Sequence, residues 1–153
     1  MTDQVSVTRE IRAPADRVWA MVSDLPRMGE WSPENKGGKW LGDATGARPG
    51  AKFRGTNQIG KRKWNTVATV VDADPGRRFS FRVGTMGIKV AEWGYSIEPT
   101  ATGCRVTESW MDQRPGPFKP LAHLVTGVGD RAEHNRGNME KTLERLAAAA
   151  ESN

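Results

Sequence analysis

The last third of the chain does most to limit what it can fold into. Residues 117–150 read as one long helix. Stepping 100° per residue from Val128 places Leu121, Leu124, Val125, Ala132, Met139, Leu143 and Leu146 on a single face. A helix of this length must bury such a stripe against something large. Arg131 and Asn135 fall on the same face, while His123 and His134 point away from it. A polar pair inside the contact predicts a cavity, because a dry core rarely tolerates an arginine. Gly127, Gly129 and Gly137 interrupt the stretch, each weakening a helix by about 1 kcal/mol relative to alanine. Gly127 and Gly129 flank Val128 at the expected mouth, where they allow either flexibility or close packing on a sheet.

The partner for that stripe is upstream. Residues 5–11 alternate as a strand, and Pro14 then opens a helix whose apolar side carries Val18, Trp19, Met21 and Val22. Pro26 ends it, and a second short helix follows over residues 27–31. Six further strands are expected at residues 39–42, 52–59, 63–73, 78–83, 88–97 and 105–111, parted by turn residues such as Gly60, Pro75, Gly76 and Gly103. Hairpin connections make the sheet antiparallel. Residues 1–153 thus form a single α+β domain, in which one helix lies across a curved sheet and the two layers diverge around a cavity.

Several local strings carry a resemblance: IRAPADRVWAMVSDLPRMGEWSP, KWNTVATVVDADPGRRFSFRV, WGYSIEP, GCRVTESW and NRGNMEKTLERL. Together with the element order they resemble the START/Bet v 1-like (SRPBCC) superfamily, in its bacterial polyketide cyclase/dehydrase and lipid-transport branch, over nearly the whole chain. The resemblance implies a helix-grip fold: a seven-stranded antiparallel sheet wrapped around the long C-terminal helix, with two short helices after the first strand. It is less specific for function, since the superfamily includes ligand carriers, cyclases, hydrolases and chaperone-activating domains.

Alternation along the strands assigns the faces. Phe53, Gly55, Asn57 and Ile59 form one inward row; Phe79, Phe81 and Val83 another. Ala91, Trp93, Tyr95 and Ile97 share a face, as do Val106, Glu108 and Trp110. The strand from Trp64 is apolar on both faces and its parity stays open. The expected ligand-binding set is therefore Phe53, Asn57, Phe81, Trp93, Tyr95, Glu108, Trp110, Leu124, Val128, Arg131 and Asn135. Apolar walls with few polar groups suit a small hydrophobic molecule. Glu108 and Arg131 are expected to meet inside the cavity and orient that ligand, since two charges buried apart would each be costly.

For catalysis the best candidates are Glu108 as acid or base, Tyr95 as a donor to a developing oxyanion, and Arg131. A role in anchoring a ligand is favoured over chemistry. Neither histidine lies on the buried stripe, Cys104 has no histidine near it in sequence, and no His/Cys/carboxylate cluster has metal-ligand spacing. No cofactor or metal is expected. The net charge of +5 favours anionic partners only weakly. Lys61, Arg62 and Lys63 at a hairpin tip lack the interleaved aromatics of a nucleic-acid surface, so no nucleic acid is expected, and at most peripheral membrane contact. The N-terminus lacks a secretory signal and no apolar run spans a membrane, which reads as cytoplasmic, as a monomer or weak dimer. Three functions remain: a carrier or sensor of a lipid or polyketide-like aromatic, a cyclase/dehydratase acting on such a ligand, and an interaction domain whose cavity is vestigial. The first is preferred, because the chain offers anchors but no recognisable catalytic set.

Overall fold

The computed structural model describes residues 4–152. Strand β1 (Gln4–Ile11) leads into helix α1 (Ala15–Val22) and a 3-10 helix (Leu25–Glu30). Six strands follow: β2 (Asn35–Trp40), β3 (Lys52–Ile59), β4 (Arg62–Asp74), β5 (Arg78–Thr85), β6 (Ile88–Thr100) and β7 (Gly103–Asp112). A 3-10 turn (Gly116–Phe118), α2 (Lys119–Thr126) and α3 (Arg131–Glu151) complete the chain. The seven strands make one antiparallel sheet in the order β1-β7-β6-β5-β4-β3-β2. Consecutive strands from β2 to β7 are neighbours, joined by short turns except for the longer loop over residues 41–51 between β2 and β3. The two edge strands, β1 and β2, are joined by α1 and the 3-10 helix. No helix among the described residues is long and apolar enough to cross a membrane.

The alternation of the strands produces the expected inward rows. In β7 the side chains of Cys104, Val106, Glu108, Trp110 and Asp112 are buried, and those between them are not. The open parity of β4 resolves in favour of Ala68 and Val70, with Trp64 and Thr66 on the same face. Register shifts interrupt the pairing of β4 with β5 and of β5 with β6. Such bulges bend a sheet and add twist, which turns one face into a trough.

The trough is filled at one end and open at the other. Val18 and Val22 of α1, Leu25, and Leu143, Leu146, Ala147 and Ala150 of α3 pack on Phe79, Ile97, Cys104 and Val106. Arg17 donates to the carbonyl of Ala150 at 3.0 Å, which satisfies one of the free carbonyls at the end of α3. A smaller cluster, Val5, Ala91, Trp110 and Met139, lies further along α3. Trp19 is partly buried, edge-on to Phe79 with ring centroids 6.5 Å apart, and its indole N–H donates to the Arg78 carbonyl at 2.9 Å.

Two expectations are corrected. The C-terminal stretch is not one unbroken helix. It splits at residues 127–130, where Gly127 takes φ +78 and ends α2, and Asp130 starts α3 by accepting the Glu133 N–H at 3.1 Å. Because α2 and α3 are separate, a stripe stepped from α3 misassigns α2. Leu121, Leu124 and Val125 are exposed, and Ala122 and Thr126 face inward. Strand β2 also begins earlier than expected, at Asn35 rather than residue 39, and ends at Trp40 rather than residue 42. Its Gly37 and Gly38 give no apolar signal, but a Cβ at Gly38 would collide with the carbonyl of Arg54. Only glycine lets β2 approach β3 there.

Candidate functional site

Between the trough and α3 lies a cavity of about 150 Å³. Its sheet wall contains Phe53, Gly55, Asn57, Trp64, Phe81, Trp93, Tyr95, Glu108 and Trp110. Its helical wall contains Ala122 and Thr126 from α2 and Arg131, Asn135, Asn138, Met139 and Thr142 from α3. Leu25, Met28, Ser32 and Glu34 close the side below β2. Leu124 and Val128, expected in the wall, are absent from it, because Leu124 lies on the exposed face of α2 and Val128 in the break after it. Trp93 and Trp110 sit with ring centroids 6.5 Å apart. With Met139 they line the space without filling it.

Two polar stations interrupt these apolar walls. The inner one is a direct product of register: Tyr95 on β6 stands opposite Glu108 on β7. The Tyr95 hydroxyl donates to Oε2 of Glu108 at 3.0 Å. Glu108 is 3% exposed, and its Oε1 has no hydrogen-bond partner among the described residues. Burial raises the Glu108 pKa to about 8, against a smaller lowering by the tyrosine hydrogen bond. The carboxyl is therefore largely protonated at neutral pH. Burial also pushes Tyr95 well above its ordinary value, helped by the neighbouring Glu108, so the phenol stays neutral.

The outer station corrects the expected Glu108–Arg131 pair. Arg131 opens α3, and its guanidinium turns to the segment before β2, where NH1 donates to Oε1 of Glu34 at 2.8 Å. The same nitrogen donates to Asn135 Oδ1 at 3.3 Å, and the guanidinium lies 6.0 Å from the centroid of Trp64. His134, half-buried, approaches Glu34 to 3.4 Å and hydrogen-bonds Asn138 at 3.1 Å. Burial alone would raise Glu34, but His134 and Arg131 outweigh it and hold the carboxyl below its ordinary value. Glu34 thus provides the counter-charge to Arg131 that was expected of Glu108. It sits in an irregular segment without periodicity, so alternation could not single it out. A further ion pair borders the cavity: Arg114 grips Asp112 through two side-chain hydrogen bonds of 2.9 and 2.8 Å.

Of the remaining polar residues, Asn57 donates to Thr66 at 3.0 Å, and Asn135 is buried beside Arg131. His123 is exposed on α2, and Lys61, Arg62 and Lys63 are exposed at the β3–β4 turn. Cys104 is buried as a free thiol in the filled end of the trough, away from the cavity. Chemically, the cavity offers apolar contact, one neutral carboxyl with an open oxygen, and one phenol.

The family model described as "Polyketide cyclase / dehydrase and lipid transport" matches residues 2–151. A Polyketide_cyc-like protein of Corynebacterium glutamicum, Cgl2372, is similar at 31% identity with a TM-score of 0.56, over 97% of this chain and 83% of that one. A START superfamily protein from Mycobacterium smegmatis is similar at 20% identity and TM-score 0.70, over 95% and 97% of the two chains. Ginseng major latex-like protein 151 from Panax ginseng has the same fold, with TM-score 0.74 at 12% identity over 98% of each chain. No curated protein sequence matches the chain.

Proposed function

The chain belongs to the polyketide cyclase/dehydrase and lipid transport family, and from that premise we propose that it binds a hydrophobic small molecule in the cavity between sheet and α3, as a carrier or sensor. The observation that carries this reading is the inner station. A carboxyl as deeply buried as Glu108, with one oxygen satisfied by Tyr95 and the other open to an apolar cavity, is costly in a purely structural core. Apolar walls with a few convergent polar groups are the pattern of a ligand site. The contacting residues are proposed to be Phe53, Asn57, Phe81, Trp93, Tyr95, Glu108, Trp110, Arg131 and Asn135. The space suits a ligand of about one aromatic ring, the size a dry 150 Å³ cavity accepts. A larger lipid or polycyclic ligand requires the walls to part, and α2, joined to α3 through residues 127–130 and packed on β4, is the element proposed to shift. Such a protein would act in the cytoplasm, as a monomer or weak dimer.

The test is saturable quenching of Trp93 and Trp110 fluorescence by an apolar ligand. Val90 lines the cavity and is partly exposed, so Val90→Trp should fill the space and weaken binding at least tenfold. Undiminished binding in a folded Val90→Trp variant would place the site elsewhere.

A second reading has its own observation. A Glu108 with a pKa near neutrality beside a phenol is poised to exchange a proton with a bound ligand, as a cyclase or dehydratase would require. Turnover of a bound aromatic precursor that vanishes in Glu108→Gln, with binding retained, would favour it. A vestigial cavity is disfavoured, because the tryptophans leave the space open.

A further inference from the structure

The charged groups around the cavity do not cancel evenly. Glu34, Glu108, Arg114 and Arg131 are the charged residues in its wall. Each arginine is already engaged: Arg131 with Glu34 at 2.8 Å and Arg114 with Asp112 at 2.8 Å. Asp112 also has Lys119 at 3.6 Å. Among the described residues of the wall, neither arginine is without a carboxylate partner to receive an anionic group instead. The one carboxyl without a counter-charge is Glu108, and its Oε1 is the unpartnered atom. Opposite it in register stand Tyr95 on β6 and Val7 on β1, and Met139 of α3 packs with Val7 and Trp110, none of them charged.

This arrangement selects a chemical class, on the reading that the cavity binds a hydrophobic molecule. We propose that the ligand carries an uncharged hydroxyl at its buried end, as an alcohol or phenol does, which hydrogen-bonds Oε1 of Glu108, and that carboxylate ligands are excluded from this position. A hydroxyl is both donor and acceptor. It accepts from Oε1 when Glu108 is protonated and donates to Oε1 when it is ionised. Tyr95 occupies Oε2 in either state. A carboxylate can only accept, so it could meet only the protonated form of Glu108, and it would bury a negative charge in a wall whose two arginines already hold carboxylates. The raised pKa of Glu108 agrees, since it leaves a proton for the ligand oxygen at neutral pH.

Three ring compounds that share a methylphenyl frame test this by titration calorimetry at pH 7 on the full chain: p-cresol, toluene and p-toluate. The expected order is p-cresol tightest, toluene about fivefold weaker for want of one hydrogen bond of about 1 kcal/mol, and p-toluate at least tenfold weaker than p-cresol. In Glu108→Leu, p-cresol should fall to the level of toluene while toluene is retained. If that variant fails to fold, Glu108→Gln serves instead. It has no ionisable group and an amide that both donates and accepts, so it should keep p-cresol and narrow the gap to p-toluate. Binding of p-toluate as tight as p-cresol by the native chain overturns the assignment, and so does a p-cresol preference that survives Glu108→Leu. If all three fail to bind, toluene included, it is the cavity-binding reading that falls.

Discussion

Glu108 shows how one residue can tie stability to pH. Its pKa is about 8 in the folded chain, against an ordinary 4.5. Between those values the folded state holds a proton that the unfolded state has released. Stability therefore falls as pH rises through that window, the reverse of the usual acidic-residue behaviour. Glu108→Gln removes the titration. Melting temperatures of the native chain and the variant should converge near pH 4.5 and separate up to pH 8, with the variant ahead by a few kcal/mol at the alkaline end. A constant difference across that range would mean that Glu108 is not buried as described. Arg131 supplies a second residue-scale test. In a double-mutant cycle, Arg131→Met and Glu34→Gln should couple by about 1–3 kcal/mol, whereas Arg131→Met and Glu108→Gln should add. Strand alternation turns both Tyr95 and Glu108 inward, but their pairing depends on the β6–β7 register, which alternation does not fix; the sequence pairs Glu108 with Arg131 instead. Nor was the outer pair legible. Glu34 stands outside any regular element, and only the fold brings it to a residue 97 positions away.

The elements were legible where periodicity was strong and obscure where a helix restarts. Six of the seven strands, α1 and the C-terminal end of α3 follow from alternation or stripe, while β2, with Gly37 and Gly38 at its centre, carries no apolar alternation and is placed late from sequence. The break at residues 127–130 had a local signal, an Asp130 cap followed three residues later by Glu133, which outweighs an apolar phase carried across two glycines. Asp130→Ala should cost about 1 kcal/mol by loss of the cap. Gly127→Ala should cost a similar amount, because alanine is disfavoured at φ +78. By contrast, Leu124→Ser, at a site 73% exposed, should change stability by less than about 0.5 kcal/mol in chemical denaturation, where an unbroken buried stripe would demand several. Trp19 sits between these cases. Its ring packs on Phe79 and its N–H holds the Arg78 carbonyl, so Trp19→Ala should cost about 3 kcal/mol, the low end of large-to-small core changes, since the ring is only partly buried.

Across the whole molecule, stability and binding are divided along the length of α3. Its C-terminal half, with Leu143, Leu146, Ala147 and Ala150, is sealed into the main core, and Arg17 and the Arg12 N–H hold its end. Its N-terminal half roofs a cavity, and its fixed points there are Arg131 on Glu34 and Met139 against Trp110. Beyond it, α2 turns Leu121, Leu124 and Val125 to solvent. A fold with one consolidated end and one open end lets a ligand enter without disturbing the core, because local opening draws on the least packed contacts. Hydrogen exchange resolves this residue by residue. Amides of α2 and of residues 131–138 should exchange orders of magnitude faster than those of residues 143–150. Saturation with a cavity ligand should slow the first group, since binding stabilises the closed form by an amount that grows with the logarithm of ligand concentration. The second group, already limited by global unfolding, should slow only as far as the whole chain is stabilised. Equal protection along α3 in the free protein would mean that the roof is as firmly seated as the core, and ligand entry would then require a different door.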